Sequence, residues 1–298
     1  MKDRILIIGG SGVVGTKMIN YFTLNDKDVE FTYLTHNVPY ATGHILDITK
    51  KDDVIQLIQR INPDIVINTT TLNSVDMSET NHDLADLITV KGMENIVNAC
   101  KITKSKIVYI STSFVFNGKK QEYVEEDIPM PDTYYGVTKF KAEELAKNSG
   151  LHYLILRTDA LYCWIEEWQR EKRTNSVLRA IQTIQSGKNL EEIIDWYNTP
   201  TYVPDLVYST GLLLDCNASG VFHITGPEFM NRYEWSLQVA EMFGLDKNMI
   251  KPIHSNTLNL PAKRSNVNLN NQKLIKKIDI QMKTVKQGLH SMLKYSRP

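Results

Sequence analysis

Arg4-Ile-Leu-Ile-Ile8 runs straight into Gly9-Gly-Ser-Gly-Val-Val-Gly15, and this stretch decides the fold. Its first five residues are nearly all apolar, the pattern of a strand buried on both faces. After the glycines, Val14, Met18, Ile19 and Phe22 recur at helical spacing. Glycines 10, 12 and 15 fit G-x-G-x-x-G, and glycines 9, 12 and 15 fit G-x-x-G-x-x-G. In both patterns the first glycine permits a tight turn and the middle one lets backbone N–H groups approach a pyrophosphate. The last lets the helix pack close to the strand, and the helix N-terminus attracts the anion. Gly9, Gly10, Ser11, Gly12, Val13, Val14 and Gly15 therefore read as a dinucleotide-binding turn.

Strands and helices alternate from there. Residues 29–34 read as a second strand, 52–61 as an amphipathic helix closed by Asn62-Pro63, and 64–68 as a third strand. A long helix is expected over 84–100, a strand over 106–110, a helix over 135–147 and a strand over 152–156. This alternation predicts an α/β fold with a parallel sheet covered by helices on both faces. Ligands of such sheets bind beyond the carboxyl ends of the strands, where residues 9–15, Asn68 and Thr112 fall. The pattern changes after Thr158. Residues 1–158 read as the dinucleotide-binding domain and 159–298 mainly as a smaller substrate-binding lobe, with about 200–225 returning to the core.

Composition narrows the function classes. Lysine plus arginine and aspartate plus glutamate both number 34, so the net charge is zero and nothing favours nucleic acid or an anionic membrane as a partner. No apolar run approaches a membrane span, and the chain opens on a strand rather than a signal peptide. Cys100, Cys163 and Cys216 are scattered, with no metal-type spacing and no even disulfide set, as expected of a reducing cytoplasm.

Tyr135-Gly-Val-Thr-Lys139 supplies the chemistry. Tyrosine and lysine at i and i+4 share one helix face. A phenol titrates near ~10, and a neighbouring ammonium should lower that value, making the pair an acid/base for a carbonyl or alcohol.

Several motifs resemble the extended short-chain dehydrogenase/reductases, and within them the dTDP-4-dehydrorhamnose reductase family. Asn68-Thr-Thr-Thr-Leu-Asn-Ser-Val-Asp76 with Glu79 resembles the family's N-x-A-A-x-T-x-V-D-x-x-E. Ser111-Thr-Ser-Phe-Val-Phe-Asn-Gly118 is similar to S-T-D-Y-V-F-D-G, and Tyr135 to Lys139 with Glu143 to Y-G-x-S/T-K-x-x-x-E. Leu156-Arg-Thr158, Thr199-Pro-Thr-Tyr202 with Asp205-Leu206, and Phe222-His-Ile-Thr-Gly226 with Arg232-Tyr233-Glu234 match further family segments in order. The resemblance spans nearly the whole chain and implies a Rossmann-type doubly wound sheet. It implies Thr112, Tyr135 and Lys139 as the catalytic set, with Lys139 also on the nicotinamide ribose. It places Asp47, Ile48, Asn68, Thr69 and Thr70 at the cofactor, and Thr71, Val75, Ser113, Phe114, Val115, Trp164, Asn175 and Arg232 at the substrate. No metal is called for.

The departures also carry information. Ser113 and Phe114 stand where the family usually has Asp and Tyr, and Thr89 where an Asn is common. The second strand ends Tyr33-Leu34-Thr35-His36-Asn37, without the acid that binds the 2′-hydroxyl of NAD. Thr35 and His36 could donate to a 2′-phosphate, so NADP is the expected cofactor, with NAD as the alternative. Residues 166–173 read as a solvated helix face, with a lid bearing Trp168 and Arg173 as the second reading. Trp164 and Trp196 suit either stacking on a base or sugar, or core packing.

The resulting expectation is a cytoplasmic, NADP-dependent reductase of a nucleotide-linked 4-keto-6-deoxysugar, with a homodimer as an open option. Two alternatives stand beside it. One is another sugar-nucleotide oxidoreductase or epimerase on the same scaffold. The other is a non-catalytic NADP-binding regulator resembling the methionine adenosyltransferase β subunit.

Overall fold

A computed structural model describes residues 3–39, 41–72, 74–170 and 174–294. The first half of the chain gives β1 (Arg4–Ile8), α1 (Val13–Leu24), β2 (Asp28–Tyr33), β3 (His44–Ile45), α2 (Lys51–Ile61), β4 (Ile65–Asn68), α3 (Val75–Thr80) and α4 (His82–Ala85). A π-helical turn, Asp86–Lys91, leads into α5 (Gly92–Thr103), then β5 (Lys106–Thr112), α6 (Tyr134–Lys147) and β6 (Tyr153–Thr158). The second half adds β7 (Leu161–Tyr162), α7 (Ser176–Gln185), β8 (Leu190–Ile193), β9 (Tyr197–Asn198), β10 (Thr201–Tyr202) and α8 (Val203–Asp215). It closes with β11 (Gly220–His223), β12 (Met230–Asn231), α9 (Arg232–Phe243), β13 (Ile250–Ile253), α10 (Gln272–Ile278) and α11 (Val285–Lys294).

The central sheet has seven parallel strands in the order β11-β6-β5-β4-β1-β2-β3. Strand alternation builds two cores. Ile5, Ile7, Ile65, Ile67, Val108, Ile110, Leu154 and Leu156 face Met18, Ile19 and Phe22 of α1 and Leu206, Val207 and Leu213 of α8. Their neighbours Leu6, Ile8, Val66, Ile107, Tyr109 and Ile155 face α2, α5 and α6 on the other side. A sheet covered on both faces excludes water from its backbone, which is why its strands read as continuous apolar runs. The chain turns back on itself between β1 and β4, and the crevice opens at that switch point.

One reading of the sequence gains a detail and another needs correction. The helix expected over 84–100 forms, running without interruption from α4 into α5, and residues 86–91 take π-helical turns within it. The described part of 166–173 is not a solvated helix face: Glu167–Gln169 is a short 3-10 turn with Gln169 buried. Arg173 lies outside the described residues.

Candidate active site

The turn after β1 is shaped by its glycines. Gly9 has φ of +83°, and a Cβ there would lie 2.8 Å from both Thr69 Oγ1 and Thr70 Cγ2. A Cβ on Gly15 would meet Gly9 O at 2.4 Å and Gly10 Cα at 2.8 Å, so only glycine lets α1 start against the turn. The carbonyls are tied back. Gly9 O accepts from Gly12 N at 2.9 Å and Gly10 O accepts from Thr16 Oγ1 at 2.9 Å. Helix α1 has no side-chain cap at Gly12, and its first backbone donor with a helical partner is Thr16 N. The earlier N–H groups of Val13 and Val14 are left for an anion.

This turn opens one end of a cavity of about 1010 Å³. Of the sequence candidates, Gly9, Ser11, Gly12, Val13, Val14, Thr35, His36, Asp47, Ile48, Thr69 and Thr70 line its near end. Thr112, Tyr135, Lys139, Thr71, Val75, Phe114, Asn175 and Arg232 line the rest. Gly10, Gly15 and Asn68 are not among the lining residues. Asn68, 2% exposed, accepts from Thr70 N at 2.9 Å and from Thr70 Oγ1 at 2.6 Å. Thr35 Oγ1 and His36 Nδ1 are 2.6 Å apart. Asp47 folds back on Thr49, accepting from its N–H at 2.9 Å and its hydroxyl at 2.7 Å.

Three substrate candidates are displaced. Val115 is fully buried in a small core with Phe116, Tyr123, Val267 and Leu269. Trp164 donates to Met292 O at 2.6 Å and packs edge-on against Phe243, so it serves lobe packing rather than stacking. Ser113 is buried and donates to Asp159 Oδ1 at 3.0 Å instead of lining the cavity. A 3-10 turn over Ser113–Val115 turns the Ser113 and Val115 side chains inward, which strand periodicity does not anticipate.

The catalytic candidates converge where β5, β6 and α6 meet. Thr112 ends β5 opposite Thr158, and its Oγ1 accepts from Phe114 N at 3.3 Å, leaving the hydroxyl proton to donate. The Thr71 and Thr112 hydroxyls approach the Tyr135 phenol, and Phe114 meets its ring edge-on at 5.6 Å. Lys139 Nζ donates to Ile110 O at 2.5 Å and lies 4.2 Å from the centre of the Tyr109 ring.

Electrostatics here reverse the sequence expectation. Burial pushes the Tyr135 phenol up to about 12, and the two threonine hydroxyls offset only part of this. Burial pushes the Lys139 ammonium down to about 7, opposed by the Glu143 carboxylate. Lys139 is not among the groups that lower the Tyr135 pKa in the ligand-free chain; desolvation acts on both residues and favours their neutral forms. Glu143 is itself fully buried. It accepts from Ser111 Oγ at 2.5 Å, from Arg157 Nε at 2.9 Å and from Arg157 Nη2 at 2.7 Å.

The far end joins Arg232 and Trp196, both named from the sequence, to Asp159 and Arg264, which were not. Asp159, 5% exposed, accepts from Ser113 and Asn198 side chains and from Thr199 N at 2.9 Å. Burial raises its pKa, opposed by these bonds and by Arg232. The Arg232 guanidinium lies 4.4 and 5.2 Å from the ring centres of Trp196 and Trp235, and its Nε has no hydrogen-bond partner among the described residues. Arg264 stands 5.5 Å from the Trp196 ring and is held by Asp76 at 2.7 Å. Two arginines thus flank one indole in the cavity wall. Asp159 and Arg264 come from segments that the lobe's packing assembles, and no local motif marks them.

Fold and site together define an extended short-chain dehydrogenase/reductase. The chain belongs to the RmlD substrate binding domain family, whose profile matches residues 2–297. A dTDP-4-dehydrorhamnose reductase from Bacillus anthracis, solved in complex with NADP, superposes with a TM-score of 0.88 at 26% identity, covering 99% of this chain and 100% of that one. A dTDP-4-keto-6-deoxy-D-glucose reductase from Streptomyces niveus is 25% identical over 264 residues, 87% of this chain and 85% of its own length. Methionine adenosyltransferase 2 subunit beta of Mus musculus is 26% identical over 257 residues, 84% of this chain and 75% of its own length.

Proposed function

We propose that the protein is an NADP-dependent reductase of a nucleotide-linked 4-keto-6-deoxysugar, working in the cytoplasm. The observation that carries this reading is one continuous cavity. It runs from uncapped helix donors, past Thr112, Tyr135 and Lys139, to a pair of arginines. The orphan N–H groups and the space kept open by Gly9 and Gly12 suit a dinucleotide pyrophosphate. Ser11, Val13 and Val14 would hold it, with Thr35 and His36 at the 2′-phosphate, Asp47 and Ile48 at the adenine, and Lys139 at the nicotinamide ribose. When bound, the cofactor supplies a hydride.

The chain's own residues do the rest. Tyr135 keeps its proton at neutral pH because burial raises its pKa, the protonation state a general acid for carbonyl reduction needs. Thr112 donates to the reacting oxygen and fixes its distance from the phenol. Lys139, near half-protonation at neutral pH, brings positive charge toward the phenolate that forms. Arg232 and Arg264 suit the substrate diphosphate, with Trp196 offering a face to base or sugar. Dehydration fits less well, since Ser113-Phe114 supplies no acid–base pair and the Asp159 oxygens are already engaged.

The similarity to methionine adenosyltransferase 2 subunit beta supports one second reading, a regulatory subunit. A panel of 4-ketosugar nucleotides with NADPH separates the two. Turnover supports the reductase. NADPH binding without turnover, together with capture of a methionine adenosyltransferase, supports the regulator.

A further inference from the structure

The short turn Glu167–Gln169 belongs to the C-terminal half of the chain, yet it is fastened to the glycine turn. Gln169 is 4% exposed. Its Nε2 donates to Ser11 O at 2.9 Å and to Thr16 Oγ1 at 3.1 Å, and its Oε1 accepts from Glu166 N at 3.2 Å. Every hydrogen-bonding group of this amide is therefore in use. Glu166 closes a reciprocal capping box with Gln169 and pairs with Lys17 of α1 at 2.7 Å. The segment grips α1 at two points. Trp168 and Gln169 also line the cavity beside Ser11 and Gly12.

These bonds complete a pattern in the turn. Gly9 O is held by Gly12 N, Gly10 O by Thr16 Oγ1, and Ser11 O by Gln169. The Thr16 hydroxyl that holds Gly10 O is in turn the acceptor for Gln169. With all three carbonyls turned back into the protein, the N–H groups of Ser11, Val13 and Val14 are the polar backbone groups left to the cavity. A carbonyl released toward the cavity would repel a pyrophosphate.

We propose that Gln169 is a positioning residue of the dinucleotide site: it holds the Ser11 carbonyl and the Thr16 hydroxyl so that the turn presents donors, not acceptors, to a pyrophosphate. This rests on the dinucleotide reading above. It means that the site is completed by a strap from the C-terminal half, and no glycine fingerprint reports that contribution.

The test is Gln169→Met, which keeps the side-chain length and removes all three hydrogen bonds, measured by calorimetry on the full chain. NADPH is compared with adenosine 2′-monophosphate, which lacks the pyrophosphate, and the ligand-free melting curve is recorded. With the Ser11 carbonyl and Thr16 hydroxyl released, NADPH affinity is expected to fall about tenfold or more while adenosine 2′-monophosphate affinity stays close to wild type; the ligand-free melting midpoint falls by only a few degrees, as the loss of buried hydrogen bonds requires. Gln169→Glu, which puts a carboxylate beside Ser11 O, should weaken NADPH further. Unchanged NADPH affinity in Gln169→Met overturns the inference and leaves the cofactor reading standing. Equal losses for both ligands, or a collapsed melting transition, also overturn it, because Gln169 would then be purely structural. A wild-type chain that binds neither NADPH nor NADH removes the cofactor reading itself.

Discussion

Glu143→Gln removes one charge from the buried heart of the site without changing its shape. Glu143 is fully buried and Arg157 is 1% exposed, joined by bonds of 2.9 and 2.7 Å. Removing one partner of a buried pair strands the other charge, at about 3–5 kcal/mol. A glutamine still offers one acceptor to Arg157, so the loss should fall near the lower bound, about 3 kcal/mol. Urea unfolding of the ligand-free protein measures it. A second consequence follows from the same carboxylate. Glu143 raises the Lys139 pKa against burial, so its removal should lower that value below about 7. NADPH affinity, which falls as Lys139 loses its charge, should then decline at a lower pH than in wild type. The double variant Glu143→Met with Arg157→Met should recover most of the stability, since no charge is stranded, but not the pH profile. A stability change under about 1 kcal/mol, together with an unmoved pH profile, would refute the assignment of this pair as both buried anchor and electrostatic support for Lys139.

Other perturbations read other parts of the site. Tyr135→Phe should lower turnover by roughly two to four orders of magnitude with little change in NADPH affinity, on the usual scale of general acid catalysis. Near-normal turnover would show that the phenol is not the acid. Gly15→Ala should destabilise the protein by about 1–3 kcal/mol or more, because its Cβ meets backbone rather than a movable side chain; an unchanged melting midpoint would contradict the packing described. In wild type, NADPH affinity should be highest below about pH 7 and fall as the pH rises through the Lys139 value, by calorimetry across that range. NADPH should bind more tightly than NADH, and a several-fold preference for NADH would rule out a 2′-phosphate site at Thr35 and His36.

Much of this was legible in the sequence because local physics wrote it there. The run of residues 4–15 announces strand, turn and helix, since glycines are needed wherever backbone approaches backbone, as at Gly9 and Gly15. Tyr135 and Lys139 were legible through helical spacing, and Thr112 through its place at a strand end. Their electrostatics were not. Adjacent charges can be read from spacing, but the desolvation that drives Tyr135 up and Lys139 down depends on what covers them. Ser113, Val115 and Trp164 were misplaced for a related reason: one 3-10 turn and one contact with α11 redirect them. Asp159, Gln169 and Arg264 were missed altogether, because distant segments bring them to the site.

The most direct test of the central claim is NADPH consumption by the full-length wild-type protein against a panel of nucleotide-linked 4-keto-6-deoxysugars, followed by loss of nicotinamide absorbance. Steady consumption with at least one member, abolished by removing the nucleotide from that sugar, is the expected result. Tight NADPH binding with no consumption across the whole panel would contradict the assignment as a reductase.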